Sequence, residues 1–283
     1  MYRDTFVTPP QYFCIEIKIS PKMKKMKIVK IITFACLFFT LNACFKKVKD
    51  VSSESKPVNH ALFDSLLKKH VNNEGLVDYK GFIKDSVKFN QYLDLLSRNH
   101  PNEKNWSKDE QLAYWINAYN AFTIKLITQH YPIKSIKDIK KGVPLVSDTW
   151  TIDFIKIEGN TYNLNNIEHG IVRPKFNDPR VHSALNCASM SCPKLLNESY
   201  KAEKLNEQLD NQMRSFLKDS SRNKITSASK AQVSKLFTWF ESDFKKAAPS
   251  VIAFINRFSD IKLNNNIKLE YLDYSWNLNE QKS

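Results

Sequence analysis

The chain has 283 residues, a net charge of +14 and only five glycines. These glycines are too scattered to build a GxGxxG turn or a phosphate loop, which excludes nucleotide-dependent enzymes that use those cradles, and we expect no cofactor. The basic residues are interspersed with acids instead of forming a stripe, so nucleic acid is not an expected partner.

The first 43 residues are typical of an export signal. Five lysines between positions 22 and 30 precede an apolar run over 31–41, and small residues lead to Cys44. A basic region followed by a short apolar run describes a secretory signal, whereas a membrane span needs about 20 apolar residues. An ordinary signal would begin at Met23 or Met26. We expect cleavage before Cys44, as in a bacterial lipobox, and lipidation of that cysteine. The protein would then be held to a membrane of the cell envelope, on the periplasmic or outer-membrane face.

The remainder of the chain predicts one domain. Residues 1–43 hold seven Lys or Arg and two Asp or Glu, so their removal lowers the net charge to +9. Residues 44–57, rich in Lys and Ser, predict a tether. Residues 58–283 predict a single globular domain, because they contain no internal linker and their length fits one large domain. The charge indicates weak attraction to acidic envelope polymers or lipid surfaces.

Helices dominate the first half of the predicted domain. Apolar residues at i, i+3 and i+4 predict helices over 60–71 and 86–97, with a short extended piece at 76–79 between them. The longest predicted helix starts after Ser107, an N-cap followed by acids, and Pro132 stops it. Asn117 and Asn120 fall within its apolar surface. Buried amides cost free energy unless they are hydrogen-bonded, so we expect both to bond a neighbouring segment.

The second half alternates hairpins and helices. Alternation over 151–157 and a return over 161–164 predict a β-hairpin. A short helix capped by Asn165 is expected to close at Pro174, and residues 181–185 predict a buried strand. A helix over 202–216, a polar hairpin over 224–234, helices over 235–246 and 249–258, and a strand over 267–274 follow.

These elements predict an α+β fold, mainly helical, in a single domain with β-hairpins and a small antiparallel sheet. Four aromatic residues fall at helical spacing and are expected in the core. They are Phe237, Trp239, Phe240 and Phe244.

Residues 167–193 concentrate the reactive side chains. They include two of the six histidines, Glu168, Asp178, two arginines and the two cysteines that follow Cys44. A cysteine becomes nucleophilic when a nearby histidine, cation or helix N-terminus lowers its pKa. We hypothesise that Cys187 attacks, that His169 or His182 takes its proton, and that Glu168 or Asp178 orients the imidazole.

Three further residues are assigned to the same hypothetical site. An amide such as Asn117 or Asn120 would steady the oxyanion. Arg173, on a short helix beside Glu168 and His169, either pairs with an acid or binds a substrate carboxylate.

Structural readings compete with this chemistry. In an exported protein, Cys187 and Cys192 are suited to a disulfide that staples a tight turn. With His169, His182 and Glu168 they are also competent zinc ligands, but the CxxC spacing is absent and we predict no metal. His182 is also interpretable as a core histidine.

Six segments carry a family resemblance. They are LVDY at 76–79, AYWINAYNA at 113–121, IEHGIVR at 167–173, DPRVHSALNC at 178–187, SCP at 191–193 and YLDYSWNLN at 271–279. On these segments the chain resembles the bacterial and plant family known as domain of unknown function 547. The resemblance implies an exported or lipid-anchored protein. By analogy of fold it suggests a distant papain-like or transglutaminase-like thiol hydrolase, in which both histidines precede Cys187.

Two functions from different classes follow. The first is a lipid-anchored envelope hydrolase or acyltransferase that acts through Cys187 on amide or ester bonds of peptides or cell-wall-derived substrates. The second is a non-catalytic envelope module that binds a ligand or partner in a groove around Asn117, Glu168, His169 and Arg173. In the second function, Cys187 and Cys192 would be structural.

Overall fold

A computed structural model of the protein describes residues 53–140 and 148–282. The predicted leader, the lipidation site Cys44 and most of the predicted tether lie outside these residues. Ser53 and Ser55 fall within the predicted tether but are bound to the domain, since Ser53 Oγ donates to Glu158 and Ser55 Oγ to the carbonyl of His100. Ordered contacts therefore begin before residue 58.

Three short helices precede the central one: α1 (Ala61–His70), α2 (Tyr79–Lys84) and α3 (Ser86–Ser97). Helices α1 and α3 confirm the two predicted helices. Helix α2 was not predicted, and it begins where the Asp78 carboxylate accepts a hydrogen bond from the backbone N–H of Gly81 at 2.8 Å. The extended piece is confined to Val77, which bridges to Val71 and Glu280.

Helix α4 (Lys108–His130) forms the axis of the domain. Ser107 Oγ accepts from the Glu110 N–H, and the Glu110 carboxylate accepts from the Ser107 N–H, so the N-terminus is closed by a capping box. Sixteen of its 23 residues are buried. A helix buried on nearly all sides belongs in the centre of a core, and α4 runs through the larger of two hydrophobic clusters.

The predicted β-hairpin is confirmed by strands β1 (Ile155–Ile157) and β2 (Asn160–Tyr162). Ile157 pairs with Asn160, which leaves a two-residue turn of Glu158 and Gly159. Both turn residues have positive φ, 44° and 75°. This conformation matches the twist of a tight hairpin, and glycine adopts it at the second position without steric cost.

The helix after the hairpin differs from its prediction in its type and in where it ends. A π-helical stretch, Asn166–Val172, runs directly into helix α5 (Arg173–Phe176). Pro174 does not close the helix, because it occupies the first turn of α5, where a missing N–H is tolerated.

The strand predicted over 181–185 is also wrong. The chain there forms a 3₁₀ helix, Pro179–Ser183. The Asp178 side chain accepts from the Arg180 N–H at 3.0 Å, and Pro179 follows it in the first turn. This combination of cap and proline starts a helical turn, and it outweighs the short apolar run that the strand was based on.

The C-terminal part contains α6 (Leu205–Lys218), β3 (Lys224–Ser227), β4 (Lys230–Val233), α7 (Leu236–Trp239), α8 (Glu241–Ala247), α9 (Val251–Phe258) and β5 (Glu270–Tyr271). The helix predicted over 235–246 is broken at Phe240, whose φ and ψ are −112° and 24°. Strands β3 and β4 form the predicted hairpin. The last strand is shorter than predicted, and it pairs parallel to β4, so this sheet is mixed and not antiparallel.

The fold is mainly helical with small antiparallel and mixed sheets, which confirms the coarse fold class. A second hydrophobic cluster is formed from α6 to α9 and the mixed sheet. Phe237 and Phe244 are buried in it as predicted, whereas Trp239 is 46% exposed and does not belong to the core. Across residues 53–140 and 148–282, the structure contains no helix long and apolar enough to cross a membrane.

Candidate thiol site

A cavity of about 280 Å³ brings the predicted reactive residues together. Its polar lining includes Glu168, His169, His182, Cys187 and Cys192. Aromatic side chains complete much of the wall, namely Tyr119, Trp150, Trp239, Phe240, Tyr274 and Trp276. Asn117, Asn120 and Arg173 do not line it, so the groove predicted for a binding module is not assembled as expected.

A buried asparagine closes the loop that carries both cysteines. Asn186 Nδ2 donates to the carbonyl of Pro193 at 2.8 Å, and Asn186 Oδ1 accepts from the Ala188 N–H at 2.9 Å. Asn120 on α4 holds the start of the loop, because its amide accepts from the Asn186 N–H at 2.8 Å and donates to the Ala184 carbonyl at 2.9 Å. Asn120 thus fixes the position of the backbone just before Cys187.

Asn117 likewise holds a neighbouring segment through side-chain hydrogen bonds. Its side chain donates to the carbonyl of Tyr200 at 2.8 Å and accepts from the N–H of Tyr200 at 2.9 Å. Both α4 asparagines therefore bond neighbouring segments, as predicted. Their amides are directed at backbone groups and not at the cavity.

The residue after Cys187 has a strained backbone. Ala188 has a φ of 59° and is buried. For a residue with a Cβ, this left-handed conformation costs about 1 kcal/mol. The C-terminal segment holds it in place, since the Asn279 N–H donates to the Ala188 carbonyl at 3.2 Å and Tyr79 donates to Asn279 Oδ1 at 2.6 Å. The bend directs the cysteine loop into the cavity.

Cys187 and Cys192 are both free thiols. Their sulfur atoms lie 3.1 Å apart, whereas a disulfide bond would bring them to about 2.05 Å. The Cys187 sulfur also lies 3.3 Å from the Tyr274 hydroxyl and 3.4 Å from Ser189 Oγ. Three groups that are able to donate a hydrogen bond, one thiol and two hydroxyls, therefore surround one sulfur.

These contacts shift the pKa values of the two thiols in opposite directions. The hydrogen bond from Cys192, helped by those from Ser189 and Tyr274, outweighs burial and lowers the pKa of Cys187 to about 7. Burial and the neighbouring Cys187 raise the pKa of Cys192 well above its ordinary value. Cys187 is therefore the thiol that ionises first, and Cys192 is the neutral thiol that can donate to its thiolate.

The surroundings of Glu168 favour the protonated form of its carboxyl group. It is 8% exposed, and burial, assisted by the charge of Cys187, raises its pKa to about 7. Arg173 and a hydrogen bond with Tyr119 oppose this shift without cancelling it. A carboxyl group with a pKa near the ambient pH can both give and take a proton.

His182 is held by a carboxylate that was not predicted. Its Nε2 lies 3.0 Å from Asp243 Oδ2, and its ring stacks on Phe240 with centroids 3.8 Å apart. Asp243 accepts the Nε2 proton, which leaves Nδ1 as the acceptor of the neutral ring. Burial lowers the pKa of His182, although Asp243 opposes the effect. Asp178, one of the two acids predicted to orient an imidazole, is instead paired with Arg180 at 2.6 Å.

Arg173 connects the second histidine to the same carboxylate. Its Nε donates to Asp243 at 2.6 Å and its Nη1 donates to Nδ1 of His169 at 2.8 Å. Burial and the charge of Arg173 lower the pKa of His169 to about 4, so this imidazole is neutral. Burial alone would raise the pKa of Asp243, but the hydrogen bonds from His182 and Arg173 hold it well below its usual value. Of its two predicted roles, Arg173 takes the pairing with an acid.

Sequence reasoning missed Asp243 and the aromatic rim. Asp243 lies in α8, in a stretch whose only signal was helical periodicity. Tyr274 and Trp276 stood in one of the six family segments, but no role was inferred for them. Their rings are 4.7 Å apart, and Trp239 lies 4.8 Å from Tyr274. Rings from two distant chain segments meet here, which only the tertiary fold reveals.

The five side chains that are competent to bind zinc, Glu168, His169, His182, Cys187 and Cys192, all line the cavity. In the part of the chain that the structure describes, no set of three or more His, Cys, Asp or Glu side chains is arranged to hold a metal ion. Cys187 is hydrogen-bonded to Cys192, and both histidines are linked to Asp243, His182 directly and His169 through Arg173.

Residues 103–217 match a family model described as "Protein of unknown function, DUF547". The chain thus contains a DUF547 domain over this range, which includes α4 and the whole cysteine loop. Four of the six segments that suggested the resemblance lie inside the match, and those at 76–79 and 271–279 lie outside it. No curated protein and no solved structure matches the chain.

Proposed function

We propose that this protein is a lipid-anchored hydrolase or acyltransferase of the cell envelope that acts on amide or ester bonds through Cys187. The observation that carries the proposal is the Cys187 sulfur, which lines an aromatic cavity and contacts three groups that are able to donate a hydrogen bond to a thiolate. A stabilised thiolate next to proton-transferring groups is the arrangement used in thiol-dependent acyl transfer.

The reaction would proceed in two steps. The Cys187 thiolate adds to the carbonyl carbon, and collapse of the adduct expels the amine or alcohol, which takes a proton from Glu168. The acyl group remains on Cys187 as a thioester. Water or an acceptor then attacks the thioester, gives its proton to the Glu168 carboxylate and restores the thiolate.

His182 supports the nucleophile in this proposal. When Cys187 carries a proton, Nδ1 of His182 is the group that accepts it, and Asp243 keeps the ring in the required tautomer. This pairing of a histidine with an orienting side chain parallels papain-like hydrolases in its chemistry. A papain-like fold is part of the proposal as an analogy only.

The aromatic rim supports a substrate with apolar surface. Trp150, Trp239 and Trp276 line the cavity beside the thiol, and such rings bury large areas of an acyl chain or a peptide side chain. We therefore propose peptides or cell-wall-derived peptides as the substrate class. Lipidation of Cys44 would place the enzyme where such substrates occur, and the segments at 76–79 and 271–279 would extend the DUF547 unit to the whole folded chain.

The test is direct trapping of the acyl-enzyme. Purified protein is mixed with a p-nitrophenyl ester or a peptide thioester, quenched in acid and analysed by peptide mass mapping. The proposal expects a transient acyl group on the peptide that contains Cys187, and its absence in Cys187→Ala. A Cys192→Ser variant, which keeps a donor beside Cys187, should still be acylated. An acylation yield in the native protein no higher than in Cys187→Ala would overturn the proposal.

A further inference from the structure

The proposed acyl transfer makes no covalent use of Cys192. This thiol is 2% exposed, yet its sulfur lies 3.1 Å from that of Cys187. Cys192 also accepts a hydrogen bond from the Cys187 N–H at 3.1 Å. A buried second thiol in contact with the partly buried Cys187 allows a reaction between the two sulfurs.

The loop that joins the two cysteines keeps them in contact. Asn186 bridges both ends of the loop through the Ala188 N–H and the Pro193 carbonyl. The Cys192 N–H donates to the Ser189 carbonyl at 3.1 Å, which turns the chain back toward Cys187. Bond formation would need the sulfurs to approach by only about 1 Å, because a disulfide spans about 2.05 Å.

We propose that Cys187 and Cys192 form a dithiol–disulfide couple that reduces small-molecule disulfides at the same cavity. The Cys187 thiolate attacks one sulfur of the external disulfide and displaces the other as a thiolate, which takes a proton from water. A mixed disulfide on Cys187 results. Cys192 then gives its proton to solvent, attacks the Cys187 sulfur and expels the second thiolate. Two electrons pass from the pair to the external disulfide, and the protein is left with a Cys187–Cys192 bond.

The different surroundings of the two thiols assign the order of attack. Cys187 lines the open cavity, and its lowered pKa makes it the attacking thiolate. Cys192 also lines the cavity but is only 2% exposed, so an external disulfide meets Cys187 first and Cys192 reacts at the sulfur of Cys187. A buried resolving thiol favours closure of the internal bond over accumulation of a mixed disulfide.

The couple would also control the proposed acyl transfer, and this consequence alone rests on the proposed function. Once Cys187 is bonded to Cys192, no thiolate remains to attack a carbonyl group. A thiol reductant that reopens the bond would restore it.

The experiment uses the reduced full chain, without oxygen, and oxidised glutathione as the probe. Peptide mass mapping should detect an internal disulfide between the peptides of Cys187 and Cys192, with two glutathione molecules released per chain. Cys192→Ser should stop at one glutathione bound to Cys187, and Cys187→Ala should form neither adduct at Cys192 nor the internal bond. Thermal melting of each variant checks that it is folded.

A native protein that retains glutathione on Cys187 without closing the internal bond would overturn the couple, as would one that does not react at Cys187. Acyl trapping and the glutathione reaction, both run on the native protein, separate the two proposals. Acylation without disulfide closure removes the couple and leaves the hydrolase, whereas closure without acylation removes the hydrolase and leaves the couple.

Discussion

Replacement of Glu168 by glutamine should change how the stability of the protein depends on pH. The carboxyl group has a pKa of about 7 in the folded chain against an ordinary value of 4.5, chiefly because it is buried. Glutamine has the same shape and can keep a hydrogen bond with Tyr119, but it cannot ionise. The variant therefore removes the ionisation of this side chain and changes little else.

The direction and the size of the change in stability follow from the raised pKa of Glu168. Below pH 4.5 the carboxyl group is protonated in both the folded and the unfolded chain, so its favourable burial is fully present. Between pH 4.5 and 7 the unfolded chain ionises first, and stability falls as the pH rises. A shift of this size corresponds to about 3 kcal/mol, at about 1.4 kcal/mol for each pKa unit. Above pH 7 the difference is constant.

The assay is urea unfolding of the native protein and Glu168→Gln at pH 4.5 and pH 8. The free energy of unfolding of the variant should rise relative to that of the native protein by about 3 kcal/mol between the two pH values. Glu241→Gln is a matched control, because the Glu241 side chain is half exposed. It should show a change of less than about 0.5 kcal/mol. Parallel curves for the native protein and Glu168→Gln would refute the reasoning.

Three further substitutions test the neighbouring contacts. Tyr274→Phe removes a donor 3.3 Å from the Cys187 sulfur, and the midpoint of its iodoacetamide alkylation should rise by about one pH unit, because a hydrogen bond to a charged group is worth about 1.5–3 kcal/mol. An unchanged midpoint would contradict the role of Tyr274. Asp243→Asn should lower the free energy of unfolding by about 2 kcal/mol, since it leaves the partly buried Arg173 without its carboxylate partner. Asp210→Asn, at a side chain 42% exposed, should cost less than about 1 kcal/mol, and equal losses in urea unfolding would count against the Asp243 pairing. Asn120→Ala should cost about 3 kcal/mol in the same assay, because it leaves the Ala184 carbonyl and the Asn186 N–H buried without partners. A loss below about 1 kcal/mol would mean that the loop relaxes without them.

Local chemistry made some elements predictable. The stripe of apolar residues and the Ser107 cap define α4, and the Glu158–Gly159 turn defines the first hairpin, because each depends on neighbours in sequence. The strand predicted over 181–185 was wrong because its local signal was ambiguous. A short apolar run fits a strand or a helical turn equally well, and the Asp178–Pro179 pair that favours the turn was not weighed.

The site was predictable only in part. Residues 167–193 supplied Glu168, both histidines and both cysteines of the cavity, since a dense local segment is visible in sequence. Asp243 and the aromatic rim come from distant segments, and their approach depends on how the two hydrophobic clusters pack. Trp239 was assigned to the core because periodicity does not reveal which face of a helix lines a cavity.

The central claim is that Cys187 is a thiolate near neutral pH. The most direct measurement is the rate of iodoacetamide alkylation of the native, reduced protein from pH 5 to pH 10, mapped to individual cysteine peptides. The account predicts a midpoint of about 7 for the Cys187 peptide and no comparable labelling of Cys192 in the folded protein. A midpoint near 8.5, the value of an ordinary thiol, or equal labelling of both cysteines would contradict it.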